Sequence, residues 1–282
     1  MPPRTYHWPV RVAALALTLV SGCAPALSTF VPAETTPEGH VRATGGLGLN
    51  VPAGQIDDAY EVAEALADRA ETQALTADEK DQLIIKTAGV MLNPPSATWE
   101  VQGRYGIHRR ADVGLRYASG ALRGDGRFTF LKPSAEGDLA GSVGVGLAYY
   151  TFEIPVPPPM DSVIEIDDFR RYELDVPLLF GWSWEMAHVW FGPKLLISRY
   201  STGMSARFVD EVRVVDVSGT NLYYGGQVGA AVGYKKVWLG LELTVAGLSG
   251  AAKIDVPAAG RSIDAKFGGL VVYPTIGVLV QL

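Results

Sequence analysis

The stretch KVWLGLELTVAG, residues 236–247, carries Val237, Leu239, Leu241, Leu243 and Val245 on one parity and Trp238, Gly240, Glu242, Thr244 and Ala246 on the other. A period of two places these two sets on opposite faces of a β-strand. The first face is wholly apolar. The second, after Trp238, is small or polar, with a single acid.

The same alternation recurs along the chain. In RYELDVPLLFGWSW, Tyr172, Leu174, Val176, Leu178, Phe180, Trp182 and Trp184 oppose Glu173, Asp175, Gly181 and Ser183. In HVWFGPKLLIS, Val189, Phe191, Leu195 and Ile197 oppose Trp190, Gly192, Lys194 and Ser198. NLYYGGQVGAAVGY and VVYPTIGVLVQL read the same way. Weaker segments lie at 41–51, 97–108, 111–119, 122–131 and 139–152. The spacing predicts about ten strands, with eight or twelve also compatible.

Three features separate a membrane barrel from a soluble sandwich. Short connections (IHRRA, KPSAEGD, EMAH, YKK) alternate, with few exceptions, with a moderate one at SGAL and long ones predicted at 53–96, 153–170, 199–220 and 249–269, as in barrels with short turns on one side and long loops on the other. The second face is rich in Gly, Ala and Ser, which suit a narrow interior. Trp99, Tyr149, Tyr172, Trp182, Trp184, Tyr224 and Tyr234 fall near strand ends on the apolar face, where interfacial girdles belong. The charges on the second face mix signs: Arg42, Arg104, Arg116, Arg123, Arg127 and Lys194 against Glu100, Asp125, Glu173, Asp175 and Glu242. In a narrow lumen they must pair, because an unpaired buried charge is costly.

These segments, with the alternating C-terminal run Ile276, Val278, Val280, Leu282 and the strand–turn–strand GRYGIHRRADVGLRY, resemble the outer-membrane β-barrel class. The fold expected is an all-β, antiparallel up-and-down transmembrane β-barrel.

One stretch breaks the pattern. Residues 55–92 are rich in Ala, Glu, Asp and Leu. Tyr60, Ala63, Leu66 and Ala67 lie at helical spacing, and Thr76 with Glu79 forms a capping-box pattern. A short helical insert, 53–96, is predicted after the first strand, as a decorative loop, a plug or a contact surface.

The amino terminus adds a second mode of membrane attachment. Arg4 and Arg11 precede the apolar run VAALALTLV, residues 12–20, which is too short to span a bilayer and reads as a secretory signal. Val20-Ser21-Gly22-Cys23 then resembles the lipobox of bacterial lipoproteins. That resemblance implies cleavage after residue 22, acylation of Cys23 and an anchor in the periplasmic leaflet. Cys23 is the sole cysteine, so no intramolecular disulfide can form. The domains expected are a signal, 1–22, a tether, 23–39, and a barrel, 40–282.

Function is less legible. The formal net charge of −6 argues against a nucleic-acid partner. His40, His108 and His188 are scattered near predicted turn-side strand ends, and no nucleophile elbow or zinc-protease motif occurs. The chain is therefore read as no enzyme, with no cofactor and no metal site. Acidic stretches such as Asp57, Asp58 and Glu61, or Glu165, Asp167 and Asp168, read as solvated loops, and the Pro-rich EIPVPPPMDSV, 153–163, as a stiffened one. The reading is an outer-membrane barrel lipoprotein of a Gram-negative bacterium. Its role is structural or interactive, and its lumen is largely closed by ion pairs. Its expected contacts are membrane lipids and an outer-membrane or periplasmic protein. Alternatives are a small-solute pore or transporter, a lipid-modifying enzyme, and a lipocalin-like binding lipoprotein with its apolar face turned inward.

Overall fold

The computed structural model describes residues 24–150, 159–210, 212–257 and 260–282. The signal and Cys23 lie outside these, as does most of the Pro-rich loop. In chain order the elements are β1 (Val41–Ala53), α1 (Gln55–Ala70), α2 (Ala77–Leu92), β2 (Ser96–His108), β3 (Ala111–Ala118), β4 (Ala121–Leu131) and β5 (Leu139–Tyr150), then β6 (Ile164–Ser183), β7 (Ala187–Arg207), β8 (Val212–Tyr234), β9 (Val237–Val256) and β10 (Arg261–Gln281). Each strand pairs antiparallel with its sequence neighbours, and β1 pairs with β10 to close the ring. No edge remains to be satisfied, which is the condition for a sheet to stand in lipid.

Both chain ends of the barrel and the connections β2–β3, β4–β5, β6–β7 and β8–β9 share one end, the turn end. The helices and the remaining connections share the other, the loop end. Alternation sorts the faces. Leu241 is 62% exposed and Thr244 is 1% exposed. The outward apolar set on β9 runs from Val237 to Val245, about the nine to eleven residues a tilted strand needs to cross a bilayer. Aromatic residues mark both borders. Trp99 packs on Tyr117 and Tyr149 on Tyr172, each pair at 5.2 Å, on the loop side. Tyr234 and Trp184 stand exposed at the turn side. The apolar face points outward and the polar face inward, so the lipocalin-like arrangement does not occur.

The strands exceed the expectation on one side. Connections predicted at 199–220 and 249–269 are instead strand: β7 runs on to Arg207, β8 begins at Val212, and β9 and β10 meet near residues 257–260. The cause is a reversal of polarity. Beyond the exposed band, outward positions become polar (Ser249, Lys253 and Asp255 on β9), while inward Leu248, Ala252, Ile254 and Val256 become the buried apolar set. Strands β6–β10 thus rise beyond the band as a curved half-shell. The opposite wall is low, because β3 and β4 turn back at Ser119–Gly120.

The helical insert fills the hollow of that half-shell. Ala63, Leu66, Ala67 and Ala70 of α1, with Leu83, Ile84 and Ala88 of α2, pack on Tyr200, Met204 and Ala206 of β7, Val215 and Val217 of β8, and Ala252 and Ile254 of β9. Thr76 caps α2: its Oγ1 accepts from the Glu79 amide at 3.3 Å, while the Thr76 amide donates to Glu79 Oε2 at 2.9 Å. The donated backbone bond holds the Glu79 carboxyl below its usual range. Lys80 Nζ reaches Asp210 at 2.7 Å, and Asp81 takes Arg213 at 3.0 Å and Arg261 at 2.6 Å. These pairs pin α2 to the half-shell.

The height of the band is testable on one strand. Leu241→Arg, at mid-band, is expected to destabilise the barrel by about 2–4 kcal/mol. Ser249→Arg, outward but beyond the band, is expected to stay within about 0.5 kcal/mol. Urea titration in lipid vesicles reads both; equal costs would misplace the band.

Candidate functional site

The inward charges converge on the interior of β2–β7. Arg104 bridges Asp112 at 2.7 Å and Asp125 at 2.6 Å. Arg127 meets the other Asp112 oxygen at 2.7 Å. Arg116 pairs with Glu100. Arg123 reaches Asp175 at 2.6 Å and Glu173 at 3.3 Å, Arg171 stands 3.3 Å from Glu173, and Lys194 stands 3.4 Å from Asp175. Arg42 donates instead to the Gln281 amide oxygen at 2.9 Å and to a backbone carbonyl. Glu242, on the far wall, accepts from Trp190 Nε1 at 2.7 Å. Nine of the eleven charges singled out in the sequence are ion-paired here, whereas Arg42 and Glu242 are held by neutral groups. The structure adds Asp112 and Arg171, which share the parity of Arg116 and of Glu173 and were legible by the same rule.

A peptide runs through the middle of this network. Residues 24–36, read from sequence as part of a tether, lie inside the barrel and are almost entirely buried. They enter at the turn end, where Glu38 bridges Gly106 and the Gly39 amide donates to the Gly106 carbonyl at 2.9 Å. From there the segment climbs, so its amino end points toward the loop end. It forms no ladder with the wall, and side chains of the wall grip its main chain instead. The Thr36 amide donates to Asp112 Oδ2 at 2.7 Å. Arg127 Nη1 donates to the Pro32 carbonyl at 2.8 Å, and Arg42 Nη1 to the Glu34 carbonyl at 3.0 Å. The two oxygens of Glu242 take the amides of Thr29 and Phe30, at 2.6 and 2.7 Å. Arg116 Nη1 donates to the Ser28 carbonyl at 2.6 Å, and Lys194 Nζ to the Leu27 carbonyl at 2.7 Å.

Side chains of the segment seat it further. The Phe30 ring meets Trp190 edge-on at 5.9 Å. Gly240 and Gly277 open the pocket for that ring, since a Cβ on either would come within 3.1 and 2.8 Å of it. Ser28 Oγ donates to Glu100 at 2.7 Å, and Thr29 Oγ1 to Gln227 at 2.6 Å. Higher up, Ala26 and Leu27 join Leu196, Tyr223, Leu248, Val271 and Tyr273. Among Thr29, Arg104, Arg116, Arg123 and Arg127 lies a cavity of about 20 Å³, room for a water and not for a solute.

Nothing in the segment's composition announced this position. Its Pro, Ser and Thr content lacks periodicity because side chains, and not a sheet, satisfy its backbone. His188 packs on Trp238 at 5.0 Å near the turn end, whereas His40 and His108 are exposed, so the three histidines form no common site.

No family model and no curated protein matches the chain. Solved structures do. The outer membrane protease OmpT of Escherichia coli is 10% identical, with a TM-score of 0.45, and the match covers 90% of this chain and 100% of that one. A major outer membrane protein of Thermus thermophilus is 10% identical, with a TM-score of 0.37, over 86% of this chain and 99% of that one. Ail, the attachment invasion locus protein of Yersinia pestis, is 9% identical, with a TM-score of 0.26, over 87% and 99%. The likeness is one of fold: an outer-membrane-type β-barrel. It corrects one sequence-based reading, that the chain is no enzyme. Since a protease is among the proteins of similar fold, a barrel without a familiar motif gives no ground for excluding catalysis, and at this identity the likeness conveys no activity either.

Asp112 sits between two arginines and a backbone amide. Asp112→Ala is expected to cost about 3–5 kcal/mol, because it leaves Arg104 and Arg127 facing each other in a dry interior. Adding Arg127→Ala should recover part of that loss. Urea titration of both single variants and the double variant, read by heat-modifiable migration, tests the pairing; full additivity would deny it.

Proposed function

We propose that the protein is an outer-membrane lipoprotein of a Gram-negative bacterium, with a barrel held shut and a structural or interaction role. The turn end faces the periplasm, and the loop end, with its half-shell and helices, faces outward. Residues 1–22 act as the signal, and Cys23 carries the acyl anchor.

One observation carries the closed-barrel reading: residues 24–36 thread the lumen and meet the wall's charges from Leu27 to Thr36. Two obstacles lie in series along the axis: the ion-paired wall with the segment seated within it, and the helical insert. A solute crossing would have to displace buried, paired charge.

Two measurements test this. Purified protein in planar bilayers is expected to show no steady single-channel conductance, and a stable open channel would promote the pore reading. A metabolic fatty-acid probe is expected to label the wild type and not Cys23→Ser; equal label in both would remove the anchor.

A further inference from the structure

The wall closes without the segment. β1 pairs with β10 along its length, and no strand of the ring uses residues 24–36 as a partner. The segment is therefore a ligand of a finished container. Most of its recognition is directed at main-chain atoms: the carbonyls of Leu27, Ser28, Pro32 and Glu34, and the amides of Thr29, Phe30 and Thr36. Main-chain atoms are common to every peptide, so these contacts read backbone direction and spacing more than sequence. Selectivity rests on few features. The Gly240 and Gly277 pocket takes one aromatic ring. Glu100 and Gln227 take hydroxyls at the two positions before it. No residue from Ala24 to Ala33 is charged, which matches a wall most of whose charges already have an ionic partner. Emptying the site would take from Glu242 two of its three donors and from Arg42, Arg116 and Lys194 a carbonyl each, places that entering water would have to fill.

We propose that the lumen is a peptide-binding channel. It accepts an extended peptide of about a dozen residues whose first ten are uncharged, as Ala24–Ala33 are, inserted amino end first from the turn end, with an aromatic side chain in the glycine pocket. Residues 24–36 are its resident occupant in cis, and a peptide of the same chemistry replaces them in trans. This rests on the closed-barrel reading and deepens it, because it names what does the closing and what can take its place.

The exposed residues Pro37–His40 allow a direct test on the full chain. A site-specific protease sequence is inserted there in a chain carrying Cys23→Ser, so that no acyl group holds the segment's amino end, the protein is folded in detergent, and the link is cut. Fluorescein-labelled synthetic peptide of residues 24–37 is then added and followed by anisotropy, with mass spectrometry of the released segment. Labelled peptide is expected to bind the cut barrel, displacing one native segment, and not the uncut one. Phe30→Ala in the peptide is expected to weaken binding by more than about tenfold. N-methylation at Thr29 and Phe30, which removes the amide protons that Glu242 accepts, is expected to do the same. The proposal is overturned if the cut barrel stays folded but never exchanges its segment, if a scrambled peptide binds as well, or if cutting alone unfolds the barrel. Conductance of the uncut protein would refute the closed-barrel reading. Failed exchange in the cut barrel, when the uncut protein does not conduct, would refute this proposal alone.

Discussion

A carboxylate on the inner wall of a narrow barrel must find donors, and Glu242 finds three: the amides of Thr29 and Phe30 and the indole of Trp190. The rest of the interior follows from this requirement. Each inward charge needs a counterpart within reach, and a ring of ten strands brings opposite walls close enough to supply some of them. Where the walls fall short, the main chain of residues 24–36 makes up the difference. It offers carbonyls to Arg42, Arg116, Arg127 and Lys194 and amides to Glu242 and Asp112. The segment is thus both the content of the lumen and part of its electrostatic balance.

A second constraint acts along the strands. Within the band, the outward face must be apolar because it meets lipid. Beyond it, the outward face meets water, while the inward face meets helices. The apolar parity therefore switches on β9 between Val245, which is outward, and Ala246, which is inward. A single strand of 20 residues serves two environments by exchanging the roles of its faces. The pairs Lys80–Asp210 and Asp81–Arg213 lie beyond that switch, where the helices meet the half-shell.

The sequence made the band legible because lipid imposes one simple rule, and Leu239, Leu241 and Leu243 obey it. The inward charges followed from parity alone, and Asp112 and Arg171 needed only the same rule applied two or four residues further. The upper strands were hidden by the parity switch: a pattern that changes phase at Ala246 reads as a strand's end. The seated segment was hidden for a different reason. A chain whose amides and carbonyls go to distant side chains, as Thr29 does to Glu242, carries no local periodicity, so its partners lie outside any window along the sequence. The capping box at Thr76 was legible because its partners are three residues apart.

The uneven rim has a consequence for company in the membrane. On the side of β3 and β4 the wall ends near the border of the band, whereas β7–β10 continue for roughly another ten residues, or about 25 Å of tilted strand. A neighbour approaching β3 and β4 meets a lipid-facing surface alone. A neighbour approaching β7–β10 must also fit a mostly polar wall, in which Val212 and Val214 of β8 stand exposed. Lateral packing around this barrel is therefore directional: permissive on the low side, selective on the tall one.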